Sequence, residues 1–186
     1  MRPIPASTPP QEFPARRLRL RAAGVLVAVF SAVAAVAADL RFTARDEALL
    51  DAIGRRGVAY FAEQSDPVSG LTRDRAAWAD GAGPSAAPSS AAATGFALTA
   101  FCLGEERGWL PAGDARRRVL AALRTVDGRH AHERGWLYHF VDAASGARVW
   151  KSEASTVDTA LFLQGALFAR EYLRDPDVSA LVDRIY

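Results

Sequence analysis

Trp150-Lys151-Ser152-Glu153-Ala154-Ser155-Thr156-Val157-Asp158-Thr159-Ala160-Leu161 is the stretch on which the reading of this chain turns. Ser155 and Asp158 stand in the S-x-x-D spacing of a helix N-terminus, where a hydroxyl caps free N–H groups and an acid in the first turn meets the helix dipole. The periodicity that follows predicts a helix over about 155–173. Just upstream, Trp136-Leu137-Tyr138-His139-Phe140-Val141 is aromatic and β-branched. Ala147-Arg148-Val149-Trp150 follows a Ser145-Gly146 turn, so a short β-hairpin is expected before the helix.

Working outward, helices dominate. Thr43 and Asp46 form a weak capping box, and Leu49, Leu50, Ile53, Gly57, Tyr60, Phe61 and Gln64 recur at helical spacing, predicting a first helix over 44–64. Residues 65–90 form a long connection, with a turn and extended segment at Asp66-Pro67-Val68-Ser69-Gly70-Leu71 and a flexible Pro/Ala/Ser stretch over 82–90. A second helix is expected over 91–106, stopping at Gly108. A third is expected from Pro111, its buried face formed by Val119, Leu120, Leu123 and Val126 and its solvated face by Arg116-Arg117-Arg118. Asp175-Pro176 opens a fifth helix that is still running at Tyr186. Helices in short succession that cannot close a core by themselves stack into solenoids or rings.

Composition narrows the classes. Half of the 186 residues are apolar and 24% are charged, as in a globular chain. The net charge of +2 is unevenly spread: residues 1–38 carry five arginines against Glu12, and the rest is mildly acidic. That balance leaves no basic footprint for nucleic acid. Arg16-Arg17-Leu18-Arg19-Leu20-Arg21 precedes the uncharged run Ala22–Ala38, which contains Ala35-Val36-Ala37, the layout of an export signal with cleavage after Ala37 or Ala38. An uncleaved anchor is the competing reading. Either places residues 39–186 outside the cytoplasm, periplasmic or secreted. Cys102 has no partner for an internal disulfide and is expected in the core. Three scattered histidines and one cysteine offer no metal-ligand spacing, and no Gly-rich phosphate loop is present, so no cofactor is expected.

The densest polar cluster runs from Asp142 to Asp158, with Tyr138, His139 and Trp150 beside it. Carboxylates that accept sugar hydroxyls among aromatic faces make a carbohydrate site, and a pair of them can cleave a glycosidic bond. Each also has a structural reading: Asp158 as a capping acid, Glu153 as a surface partner of Lys151 or Arg148, Asp142 as a turn residue and His139 as a packed histidine.

The order of segments resembles the glucoamylase-like family of bacterial carbohydrate enzymes. Asp66-Pro67-Val68-Ser69-Gly70-Leu71-Thr72-Arg73-Asp74-Arg75, Ala93-Thr94-Gly95-Phe96-Ala97-Leu98, Glu106-Arg107-Gly108-Trp109, Gly135–Asp142 and Trp150–Leu161 carry the resemblance, which covers residues 46–186. It implies an all-α fold, an incomplete (α/α)6 toroid with one short hairpin, similar to endo-β-1,2-glucanases and to a region of cyclic β-1,2-glucan synthases. By that resemblance Glu153 and Asp158 are the candidate catalytic acids of a β-glucan cleft. Asp142, Tyr138, His139 and Trp150 surround them, with Arg73 and Asp74 on a loop near the mouth. At about 29 residues per helix a closed ring needs roughly 340 residues, so the chain is expected to be a fragment. The alternative is an exported helical module that binds glycan or a partner without turnover. The aspartate-rich acid of helical terpene cyclases is a poor match, because only Asp158 remains of its carboxylates.

Overall fold

The computed structural model describes residues 42–76 and 83–186, and the expected export segment over 1–38 lies outside them. The chain divides into two units, Met1–Glu47 and Ala48–Tyr186. The described part of the first is the start of helix α1 (Ala44–Gln64). Asp46 accepts from the Thr43 N–H and hydroxyl at 2.8 and 2.7 Å, and its own N–H returns to the Thr43 hydroxyl at 3.2 Å. The capping box read from the sequence is closed in both directions.

In the second unit, helices α2 (Ala91–Glu106), α3 (Asp114–Gly128), α4 (Thr156–Leu173) and α5 (Pro176–Ile185) surround one core. Leu98, Cys102, Leu123, Phe162, Val178 and Val182 fill it, joined by Leu71, Leu137 and Val141 from the connections. Burial pushes the Cys102 thiol up to about 12, which leaves it an inert packing group. The tightest approach is between α2 and α4. A Cβ on Gly165 would lie 1.9 Å from the Gly95 carbonyl oxygen, and one on Gly95 would lie 2.4 Å from the Leu161 oxygen. Neither position admits a side chain.

The connection over 65–90 is more ordered than its composition implies. The Asp66 side chain accepts from the N–H groups of Val68 and Ser69 at 3.0 and 2.9 Å, and Gly70 closes the turn at φ +72° with its Cα against the α3 backbone. Of the stretch 82–90, read as flexible, the described residues 83–90 are instead tied down. The Gln64 amide donates to the Gly83 carbonyl at 3.1 Å and accepts from the Ser85 N–H at 2.8 Å. Strand β1 (Ser89–Ser90) then pairs antiparallel with β4 (Phe140–Val141).

The expected hairpin is present and is extended by that pairing. On the other edge of β4, the Val141–Arg148 bridge, the Val149 N–H donating to the Phe140 carbonyl at 3.2 Å and the Asp142 N–H donating to the Ala147 carbonyl at 2.8 Å join it to the segment after the Ser145-Gly146 turn. Strand β3 (Trp136–Leu137) pairs separately with β2 (His132–Glu133), so the run Trp136–Val141 is divided between two small two-stranded sheets.

Helix α3 starts at Asp114 rather than Pro111, which sits in the preceding turn and accepts from the Asp114 N–H at 3.1 Å. The α3 N-terminus is satisfied from α2, where the Glu105 carboxylate accepts from the Ala115 N–H at 2.8 Å. The arginine row is not simply solvated either. Arg116 bonds Asp175 and Asp177 at 2.8 and 2.9 Å, tying α3 to α5, and Arg118 lies over the Phe101 ring and donates to the Ala62 carbonyl.

Two outcomes follow for stability. Gly165→Ala should destabilise the fold by about 3 kcal/mol or more in urea unfolding, since backbone has to move to admit the methyl. His130 is buried, with Nδ1 2.9 Å from the Ala131 carbonyl and, among the described residues, no partner for Nε2. Burial holds its pKa below the ordinary 6.5, so the unfolded chain binds the proton more readily. Its contribution to stability is full above that value and is lost as pH falls through the folded-state pKa. Denaturant midpoints should decline on acidification from pH ~6.5, and His130→Leu should flatten that part of the profile.

Candidate functional site

Helix α4 begins where the quoted stretch places it. Ser155 is in extended backbone, and its hydroxyl accepts from the Asp158 N–H at 3.1 Å while donating to the Asp158 carboxylate. The same helix end is stitched to β3. The Leu137 N–H donates to the Thr159 hydroxyl at 2.9 Å, and the Ser155 N–H donates to the Leu137 carbonyl at 2.9 Å. Two residues beyond Leu137, the His139 N–H reaches the Glu153 carbonyl at 2.9 Å. These backbone ties set three side chains against one another.

His139 is the pivot. Its Nδ1 stands 3.3 Å from Glu153 Oε1 and 3.8 Å from Asp158 Oδ2. The two acids differ in setting: the Glu153 side chain is 72% exposed and that of Asp158 only 13%. Backbone hydrogen bonding at Glu153 and then the His139 hydrogen bond hold the Glu153 carboxyl below the usual carboxylate range, so it is ionised at neutral pH. The His139 ring stacks on Phe140, with centroids 3.8 Å apart, and the Trp150 indole meets Phe140 edge-on at 5.3 Å.

Trp150, 67% exposed, also borders a cleft of about 250 Å³ whose other walls include Arg73, Pro88, Asp142 and Val149. Asp142 accepts from the Ser145 N–H and hydroxyl at 2.8 and 2.7 Å. Those bonds, with a smaller contribution from the Arg73 charge, hold its carboxyl below the ordinary range. Asp142 is thus both the turn residue and a cleft wall.

Of the eight residues named from the sequence, Glu153, Asp158 and His139 converge directly. Arg73, Asp142 and Trp150 line the neighbouring cleft. Asp74 pairs with Arg75 at 2.8 Å beside that cleft, and one face of the Tyr138 ring is covered by the Arg148 guanidinium at 4.3 Å. Sequence reasoning missed Phe140, which links the two groups, and Ser152, whose hydroxyl bonds both the N–H and the carbonyl of Phe140. Phe140 lay within the alternating aromatic run and could have been found there; the Ser152 contact depends on tertiary folding. Among the described residues no group of His, Cys, Asp or Glu is arranged to hold a metal ion.

The helical body with its small sheets is similar to that of glucoamylase-like proteins, so the resemblance read from the sequence is found in both sequence and fold. A glucoamylase-like protein of Bacteroides caccae superposes with a TM-score of 0.63 at 25% identity, covering 75% of this chain and 35% of that one. The endo-β-1,2-glucanase of Chitinophaga pinensis, solved with sophorotriose and glucose, gives a TM-score of 0.64 at 22% identity over 78% of this chain and 36% of its own. In sequence, the chain is 30% identical to the exo β-1,2-glucooligosaccharide sophorohydrolase (non-reducing end) of Parabacteroides distasonis over 68% of its length, which is 17% of that relative. No family model matches. The chain spans about a third of the solved structures and a smaller share of the curated relative.

Because one hydroxyl both caps α4 and holds Asp158, Ser155→Ala should lower unfolding stability by about 1 kcal/mol. The weakened cap should be visible as faster hydrogen exchange in the first turn of α4.

Proposed function

We propose that this chain forms part of a glycoside hydrolase acting on β-glucan, with β-1,2-glucan the preferred candidate. The observation that carries the reading is the shared contact of His139 with Glu153 and Asp158, set through Phe140 beside an exposed indole and a polar cleft. Carboxylates of this kind accept sugar hydroxyls or act as bases, and an exposed indole stacks on the C–H face of a pyranose. The likeness to proteins that act on β-1,2-linked glucose supports the choice of linkage.

Glycosidic cleavage also needs an acid whose pKa is raised, to protonate the leaving oxygen. Glu153 and Asp142 are both shifted the other way. Glu153 is therefore suited to binding or to the base role, and the acid is either Asp158 or a residue of helices that complete an (α/α)6 ring. Leu49, Leu50, Ile53, Phe96 and Leu103 present exposed apolar surface on α1 and α2 that such helices would cover. The same shifts favour the second reading, in which these 186 residues alone bind glucan without turnover. In either case the protein is exported through its basic, apolar N-terminal segment, cleaved or retained as an anchor.

The test is thermal unfolding of the full chain with sophorotriose and with a β-1,4-linked control. A midpoint raised by sophorotriose alone, and not raised for Glu153→Gln, is the expected result. A ligand saturating at about 100 times its Kd should add about 2.7 kcal/mol. No shift with either sugar would overturn the proposal for this chain.

A further inference from the structure

We propose that Arg148 is a positioning residue that clamps the Trp150–Lys151 turn and thereby holds the indole as a stacking platform for a glucosyl ring. The proposal deepens the glucan-binding reading and rests on it. The turn itself is the first observation. Trp150 and Lys151 have φ of +55° and +54°, and the Ser152 N–H donates to the Val149 carbonyl at 3.0 Å. Consecutive positive φ angles closed by this bond make the primed arrangement that Asn-Gly adopts readily. A tryptophan followed by a lysine meets its Cβ clashes at both positions, so the surroundings have to hold the conformation.

What holds it is Arg148. One terminal nitrogen donates to the Lys151 carbonyl at 2.8 Å, and the guanidinium plane lies over the Tyr138 ring, 4.3 Å from its centroid. Tyr138 is itself anchored: its ring packs on the core, its N–H donates to the Ala131 carbonyl at 3.1 Å, and it bridges to Ala154. The load thus passes from the core through Tyr138 and Arg148 to the Lys151 carbonyl. Trp150, fixed in this way, keeps its edge on Phe140 and most of its indole in solvent beside Arg73 and Asp142. Cation–π and charge-assisted contacts of the planar guanidinium suit Arg for this task, and Lys would not make both. The occupied face of Tyr138 gives that residue a supporting role.

The test uses the full chain and four variants: Arg148→Ala, Lys151→Gly, both together, and Trp150→Ala. Sophorotriose binding is measured by calorimetry, and exchange of the Ser152 amide is followed without ligand. Arg148→Ala should weaken binding about fivefold and speed Ser152 exchange, while Trp150→Ala should weaken binding at least as much. Adding Lys151→Gly should restore part of both properties, because glycine accepts the positive φ without a clamp at one of the two strained positions. A direct contact of Arg148 with sugar would leave binding unrestored by glycine, and that result overturns the proposal. So does Ser152 exchange that Arg148→Ala leaves unchanged. If the unmodified chain fails to bind sophorotriose while its Ser152 exchange responds as stated, the clamp stands as a feature of the turn and the glucan reading, with the subsite built on it, falls.

Discussion

The contact between Gly95 and Gly165 sets the distances on which the rest of this fold depends. Two helices meet with backbone against backbone, closer than any Cβ allows, so α2 and α4 are fixed in register as well as in distance. Hydrophobic burial alone would accept many sliding arrangements of two apolar faces, whereas a glycine pair accepts very few. Phe162 and Ala166 on α4 then find Leu98 and Cys102 on α2 in one core. The strands that abut the N-termini of these helices inherit that register. Ser90 caps α2 and pairs with Phe140, and Leu137 is bonded to the first turn of α4.

From this follows the position of the candidate site. His139 lies between the two stitches, its carbonyl accepting from the Ala91 N–H of α2 and its N–H donating to Glu153 just ahead of α4. Its ring has little freedom to be elsewhere. Asp158 is held by the cap of α4, so its structural role and its place at the rim come from the same hydrogen bond with Ser155. The capping role of Asp158 is the one the hydrogen bonds show, and it leaves the carboxylate 3.8 Å from His139 Nδ1.

Helix identity was the most legible part of the sequence. The first, second, fourth and fifth helices begin and end close to their caps, because Thr43, Ser90, Ser155 and Asp175 supply local oxygen acceptors that do not depend on tertiary context. The third helix was misread at its start because its free N–H is satisfied from a distance by Glu105, a partner invisible to local pattern, while Pro111 offered a plausible local signal. Residues 83–90 looked flexible by composition and are ordered by Gln64 and by strand β4, again from elsewhere in the chain. The site shows the same division. Glu153, Asp158 and His139 lie within twenty residues and were found together, whereas Arg73 joins Asp142 only through the fold, and Arg148 gave no local sign of its contact with Tyr138.

Local consistency is the rule in a foldable sequence, and departures from it concentrate where a site imposes its own demands. The caps, the glycine pair and the core all agree with the fold. Trp150-Lys151 does not: a pair ill suited to two left-handed positions occupies a turn that Asn-Gly would form without strain. Nothing in the core requires a tryptophan there, since its indole is mostly in solvent and meets Phe140 edge-on. An exposed aromatic side chain held at conformational cost, next to carboxylates kept ionised by their own hydrogen bonds, is intelligible as preorganisation for a polar ligand with an apolar face. The proposed ligand, a pyranose, has both in one ring: hydroxyls that carboxylates accept from, and a C–H face on which an indole stacks.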